Sequence, residues 1–104
     1  MGGNLLSDLP ADLSGEIVDR LVVGDSVRIE RIVSAGHASP AGFWYDQEER
    51  EFVVVLQGAA RIEFEDGEIA ELVAGDWLEI SAHRRHRVGW TAPGKATVWL
   101  AVFF

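Results

Sequence analysis

The sequence predicts an all-β fold, a single small barrel or sandwich made of short strands. Runs of β-branched and aromatic residues recur along the chain, and turn signals such as Asp66-Gly67 and Ala92-Pro93-Gly94 separate them at roughly ten-residue intervals. No segment shows a helical period longer than a turn or two. The length of 104 residues suits one domain with one hydrophobic core.

The elements follow in order from an N-terminal arm, residues 1–15, whose mixed polarity predicts a loose segment with at most a helical turn. The barrel is expected over residues 16–104. Its first two strands are separated by Gly24-Asp25, which predicts a hairpin. The predicted strands span residues 16–23, 27–34, 51–56, 60–64, 69–73, 77–80, 86–90 and 96–104.

Composition excludes several classes of function. The absence of cysteine rules out disulfides, thiolate zinc sites and cysteine nucleophiles. The net charge of −8 argues against nucleic acid or an anionic membrane surface as the main partner. The start of the chain lacks the features of a signal peptide, and no run approaches the roughly 20 apolar residues that span a bilayer. A cytoplasmic location is therefore expected.

Two spaced motifs narrow the fold further. Glu51 is followed by six residues and then Gly58. Gly75 lies eleven positions before His86, which begins a predicted short strand. In this order, within an all-β pattern, the two segments resemble the two motifs of the cupin family, and in particular its short single-domain bacterial members, over residues 27–104. The resemblance implies a double-stranded β-helix, or jelly-roll barrel, with a functional pocket around Glu51 and His86.

The first motif departs from the family at its two histidines. With a three-residue gap before Glu51 these positions fall on Tyr45 and Gln47, and with a four-residue gap they fall on Trp44 and Asp46. The second motif has also changed, since Ser81, His83 and Trp90 replace its usual proline, glycine and asparagine.

Cupin metal sites normally combine the first-motif histidines and glutamate with the second-motif histidine. Here Glu51 and His86 would be two ligands of an iron, manganese, nickel or zinc ion, and Asp46 or Gln47 a third. His83 or His37 could be a fourth, although a loop position is the preferred explanation for each of these histidines. Without a metal, Glu51 and His86 could act as a general acid/base pair.

Other side chains are candidates for ligand binding. Strict alternation along its strand aims Arg31 inward, where it could neutralise Glu51 or hold a ligand carboxylate; a β-bulge or a rim position would turn it outward instead. Trp44 and Tyr45 could line the mouth of the pocket or fill the core. Trp90 is expected on the same face as His86, as an aromatic wall.

Three functions remain open at this stage. The chain could be a small cupin enzyme acting on a small polar or anionic molecule, a ligand-binding or sensor barrel without turnover, or a structural module with a packed interior. The last strand, residues 96–104, is apolar on both faces, which suggests burial between sheets or in a homodimer.

Overall fold

Two antiparallel β-sheets face each other and enclose the apolar core. The computed structural model describes residues 2–10 and 15–104, and within them no helix is present. The strands are β1 (Ile17–Val23), β2 (Arg28–Ser34), β3 (Glu51–Gln57), β4 (Ala59–Phe64), β5 (Ile69–Val73), β6 (Trp77–Ile80), β7 (His86–Thr91) and β8 (Thr97–Phe103).

The larger sheet has the strand order β1-β2-β8-β3-β6, and the smaller sheet has the order β5-β4-β7. The predicted β1–β2 hairpin is confirmed. The chain crosses between the sheets four times, so strands distant in sequence become neighbours, as β2 and β8 do. The all-β fold, with every predicted strand displaced by no more than two residues, is confirmed.

Alternation of side chains explains which residues form the core. In β3, the odd-numbered Glu51, Val53 and Val55 are buried and face the smaller sheet, whereas Phe52 and Val54 face outward and are half-buried. The same parity holds in β8. The core cluster consists of Val53, Val55, Ala60, Ile62, Phe64, Leu72, Ile80, Trp99, Ala101 and Phe103.

The N-terminal arm lies against the outer face of the larger sheet. Residues 5–8 form turns, and the Arg31 guanidinium donates hydrogen bonds to the carbonyl oxygens of Leu5 and Ser7 at 3.3 and 2.9 Å. Part of the predicted arm, residues 11–14, lies outside the described residues. The described residues include no helix long and apolar enough to cross a membrane.

Candidate functional site

A cavity of about 230 Å³ lies between the sheets. Aliphatic and aromatic side chains form most of its wall, and a few polar side chains are set among them, as is typical of small-molecule sites. The lining residues are Glu16, Val18, Arg28, Glu30, Ile32, Tyr45, Gln47, Glu51, Val53, Ile62, His86, Val88, Trp99 and Phe103.

Glu51 and His86 meet in this wall. Glu51 opens β3 and His86 opens β7, and both side chains point inward from opposite sheets. The distance from Nε2 of His86 to Oε1 of Glu51 is 3.4 Å. His86 is 5% exposed and Glu51 is 9% exposed. The predicted proximity of the pair is therefore confirmed, and burial makes a stable unpaired charge on either residue costly.

The backbone of the preceding loop determines how the imidazole is protonated. Nδ1 of His86 lies 2.8 Å from the carbonyl oxygen of Arg84, and because a carbonyl can only accept, Nδ1 carries a proton. The remaining ring nitrogen, Nε2, faces Glu51. Burial alone would lower the pKa of His86, but the hydrogen bonds to Glu51 and to the Arg84 carbonyl raise it above its usual value overall. The imidazolium form therefore persists opposite the Glu51 carboxylate to a higher pH than in an exposed histidine.

Tyr45 completes the polar side of the cavity. An isolated β-bridge joins its backbone to that of His86, and the two rings stack with centroids 5.5 Å apart. Burial, followed by the negative charges of Glu16 and Glu51, raises the pKa of the Tyr45 hydroxyl. The phenol therefore stays protonated and can donate a hydrogen bond within the cavity.

The structure distinguishes between the two alignments of the first motif. Tyr45 and Gln47 line the cavity together with Glu51, whereas Trp44 and Asp46 do not. Side chains alternate along this extended segment, so only one of the two pairs can face inward. The three-residue gap is therefore the alignment that the fold realises, and a tyrosine and a glutamine stand where the family has histidines.

Asp46 and His83, two of the candidate metal ligands, pair with each other away from the cavity. Oδ1 of Asp46 lies 2.8 Å from Nδ1 of His83, and both side chains are exposed. The expectation that either joins Glu51 and His86 is therefore corrected. His37 lines a neighbouring cleft, where its Nδ1 accepts a hydrogen bond from the backbone N–H of Ala35 at 2.9 Å.

The side chains present do not fit the metal centre of the family. Around the imidazole of His86 the cavity offers the carboxylate of Glu51, the amide of Gln47 and the phenol of Tyr45. The other lining carboxylates bind elsewhere, Glu16 to the Ser34 hydroxyl and Glu30 to the Arg28 guanidinium. Neutral amides and phenols are poor substitutes for imidazole, and transition-metal centres generally need three or four good ligands. Within residues 2–10 and 15–104, no group of three or more histidine, aspartate or glutamate side chains could hold a metal ion.

Arg31 faces away from the cavity, contrary to the prediction that alternation aims it inward. Its guanidinium is paired with Asp19, with Nη2 and Oδ2 2.7 Å apart. The alternation itself is correct, but the inner face of β2 carries Arg28, Glu30 and Ile32. The prediction failed because it assigned the more apolar face of the strand to the inside, and in this sheet the outer face is apolar as well.

Trp90 is also outside the cavity. Ile62 of β4 is paired with Val88, but the next residue, Arg61, is paired with Trp90, so Gly89 forms a β-bulge. The bulge reverses the alternation, and Trp90 becomes 39% exposed. A side chain at position 89 would meet the end of the Glu63 side chain, which would have to move. Trp44 is half-buried but does not line the cavity either.

The cavity residues that sequence reasoning missed include Glu16, Arg28, Glu30 and Trp99. To find Glu16, Arg28 and Glu30, one must know which face of β1 and β2 points inward, and only the pairing with β8 establishes this. Trp99 could have been found from the sequence, since it shares a face with Ala101 and Phe103 in the last strand. Its indole Nε1 is buried and has no hydrogen-bond partner among the described residues.

Comparisons with known proteins agree with this fold. A crystal structure from Ralstonia eutropha JMP134, described as a "putative mannose-6-phosphate isomerase", is 47% identical, with a TM-score of 0.95 over 99% of this chain and 96% of that one. A cupin superfamily protein from Desulfitobacterium hafniense DCB-2 is 23% identical, with a TM-score of 0.77 over 92% of this chain and 83% of that one.

More distant structures show the fold alone. An RmlC-like cupin with a double-stranded β-helix, from Methanocaldococcus jannaschii, is 16% identical, with a TM-score of 0.73 over 92% of this chain and 85% of that one. No curated protein matches the chain. The model of the cupin domain family matches residues 32–103, a range that contains Glu51, His86 and six of the eight strands in full. The chain is therefore a member of the cupin family.

Proposed function

We propose that this cupin binds a small polar molecule between its two sheets and that Glu51 and His86 make the decisive polar contacts. The observation that carries the proposal is the position of this pair, buried and 3.4 Å apart in the wall of a cavity of about 230 Å³. Two ionisable groups in an apolar interior are costly for folding, so their presence beside an open space supports a functional role.

The pair is suited to moving a proton on the bound molecule. The Glu51 carboxylate can accept a proton, and His86, whose Nδ1 is held by the Arg84 carbonyl, can donate one from Nε2. A binding or sensor protein would use the same two groups to orient its ligand without turnover. A structural module with a packed interior is disfavoured, because the space between the sheets is not filled by side chains.

The relative from R. eutropha suggests one substrate to examine. Its description names mannose 6-phosphate, a phosphorylated sugar on which an isomerase would move protons. Conversion of mannose 6-phosphate by the purified chain can be followed by NMR, with Glu51→Gln and His86→Gln as inactive references. We treat this activity as the second candidate, since the shared fold does not carry a substrate with it.

We further propose that the site works without the family's metal centre, because Tyr45 and Gln47 replace two of its ligands. The iron, manganese, nickel or zinc that the family resemblance implies can be tested by elemental analysis of the purified chain. We expect well under one equivalent of each. A stoichiometric metal that is lost in both Glu51→Ala and His86→Ala would show instead that this pair anchors a metal of unusual ligand set.

The binding proposal is tested by thermal unfolding with D-mannose and benzyl alcohol as neutral polar probes. We expect a concentration-dependent rise in the Tm of the wild type that is reduced in Glu51→Gln and His86→Gln. Glu71→Gln, on the exposed side of β5, is the matched control and should behave as the wild type. An equal rise in all four proteins would place the binding elsewhere and contradict the proposal.

What we say of the macromolecular partners and of the cellular location is also a proposal. We propose a cytoplasmic protein, which the lack of cysteine permits, with no nucleic acid or membrane as partner and with a second copy of the chain as its main protein partner. Cell fractionation tests the location.

A further inference from the structure

We infer that the cavity accepts neutral or cationic small molecules and discriminates against anions, phosphate esters included. The inference rests on the proposed function, namely that the ligand occupies the cavity of Glu51 and His86. It narrows the class of that ligand and argues against mannose 6-phosphate, the second candidate above. It follows from how each charged group in the wall is already neutralised.

The cavity has no guanidinium free to bind an anion. Among the described residues that line the cavity, Arg28 is the one arginine. Its Nε lies 2.8 Å from Glu30, its Nη1 lies 2.8 Å from Glu49, and its guanidinium stacks 4.1 Å above the ring of Phe103. Arginine binds carboxylates and phosphates best through two parallel N–H groups, either Nε with Nη2 or Nη1 with Nη2, and here a carboxylate already takes one nitrogen of each pair.

The remaining charges leave the cavity negative. The imidazolium of His86 is opposed by Glu51, and the guanidinium of Arg28 by Glu30. Glu16 also lines the cavity; its carboxylate accepts a hydrogen bond from the Ser34 hydroxyl at 2.8 Å, and the described residues place no basic side chain within ion-pair distance of it. One carboxylate is therefore left without a cation.

The neighbourhood of the site adds no attraction for anions. The arginines around His86 are each bound by an acidic side chain: Arg84 by Glu68 at 2.6 Å, Arg85 by Glu65 at 2.7 Å and Arg87 by Glu63 at 2.6 Å. The whole chain carries a net charge of −8, so the long-range field also repels anions.

The uncharged part of the wall indicates what would bind. Tyr45, Trp99 and Phe103 provide aromatic surfaces, which attract cations and stack on flat rings. The buried N–H of Trp99 finds no partner within residues 2–10 and 15–104 and would be satisfied by an acceptor atom of a ligand. The carboxylates of Glu16 and Glu51 accept from hydroxyl or ammonium groups. An alcohol on a small ring or apolar scaffold matches all three features, whereas an ammonium group matches the aromatic surfaces and the carboxylates.

Three probes that share one ring test the inference. Benzylamine, benzyl alcohol and benzoate carry charges of about +1, 0 and −1 at neutral pH. Each is titrated into the full-length ¹⁵N-labelled protein, and the shifts of the Trp99 indole N–H and the His86 ring report binding in the cavity. We expect benzylamine and benzyl alcohol to bind, and benzoate to bind more weakly by a factor of roughly ten or more. A tenfold ratio is what one modest unfavourable charge contact produces.

Single substitutions then identify the source of the discrimination. Glu16→Gln removes the carboxylate that lacks a cation but keeps an oxygen that can accept from a hydroxyl, so it should weaken the binding of benzylamine much more than that of benzyl alcohol. Glu71→Gln, an exposed glutamate on β5, is the control and should change neither affinity.

The outcomes separate this inference from the proposed function. Benzoate binding as tightly as benzylamine, with the same Trp99 and His86 shifts, would overturn the charge discrimination and leave the ligand site standing. Shifts of neither group with any of the three probes would contradict the ligand site itself.

Discussion

Tyr45 and Gln47 occupy the two positions at which the fold would aim histidines toward Glu51 and His86. Their side chains line the same cavity, and Tyr45 stacks on the His86 ring. The family's geometry has thus been kept while two of its ligands have been exchanged for a phenol and an amide. At the scale of single residues, this exchange decides the chemistry of the site.

Restoring the two histidines should restore a metal site. In Tyr45→His/Gln47→His, three imidazoles and one carboxylate would face one cavity, which is a complete ligand set for zinc or nickel. We expect about one equivalent of zinc per chain after dialysis, measured by elemental analysis, against far less in the wild type. The control is Trp44→His/Asp46→His, which adds two histidines outside the cavity. Equal zinc in both double variants would contradict the assigned alignment.

The protonation of His86 should depend on Glu51. Because the pKa of His86 is raised in the folded protein, its NMR titration midpoint should exceed the usual value of about 6.5, and Glu51→Gln should lower it. The His83 resonances in the same spectra serve as a control that should not respond to Glu51→Gln. A His86 midpoint unchanged in Glu51→Gln would contradict the pairing.

The same shift predicts how stability varies with pH. A raised pKa means that the folded state binds the proton more tightly than the unfolded state, so the contribution of His86 to stability is fully present below about pH 6.5 and is lost as pH rises through the folded pKa. The difference in free energy of unfolding between the wild type and His86→Gln, measured in urea, should therefore shrink as the pH rises through that range. A difference that grows with pH would contradict this sign.

At the scale of elements, the strands could be predicted closely and their faces less well. Period-two alternation and turn residues depend on neighbours in sequence, so all eight strands were found. Which face of a strand points inward depends on the strands with which it pairs. Arg31 and Trp90 were wrongly placed for this reason, the first because the more apolar face of β2 points outward and the second because Gly89 adds a bulge.

The turn between β3 and β4 depends on Gly58 for two reasons. Its φ of 92° lies in the left-handed region, and a Cβ at this position would lie 2.7 Å from the Cα of Thr97. Gly67, in the next turn, has a φ of 97° but open space around it. Comparing substitutions at the two glycines therefore separates the cost of backbone strain from the cost of a steric collision.

Gly58→Ala should be much more destabilising than Gly67→Ala. Backbone strain alone should cost about 1–2 kcal/mol in Gly67→Ala, and the collision with the Thr97 backbone should add about 1–3 kcal/mol in Gly58→Ala. The free energy of unfolding in urea measures both. Equal losses would show that the approach of Thr97 contributes nothing.

At the scale of the whole molecule, the larger sheet is apolar on both faces. Its inner face covers the core and the cavity, and its outer face carries Val54, Leu100 and Val102 on neighbouring strands, with Phe52 stacked on Trp77 at a ring distance of 5.4 Å. Trp77 is 60% exposed. An outer face of this kind is more typical of a subunit interface than of a free surface.

We therefore expect the protein to form a homodimer through this face. Light scattering after gel filtration should give twice the chain mass of 11.4 kDa. Leu100→Lys, at the centre of the face, should give the monomer mass, since it would bury an unpaired charge in the interface. Ile69→Lys, on an exposed position of the smaller sheet, should remain dimeric. A wild-type monomer would contradict the proposed interface.

The sequence alone determined the all-β class, the strand boundaries and the two fixed points of the site, Glu51 and His86, because each of these depends on local periodicity or on spacing along the chain. Only the tertiary structure decided the rest of the site. It brought Tyr45 and Gln47 inward, paired Asp46 with His83 outside, and made Arg28 a partner of glutamates within the cavity. These outcomes depend on strand pairing across long sequence separations and on a single bulge, and neither is encoded in a local pattern.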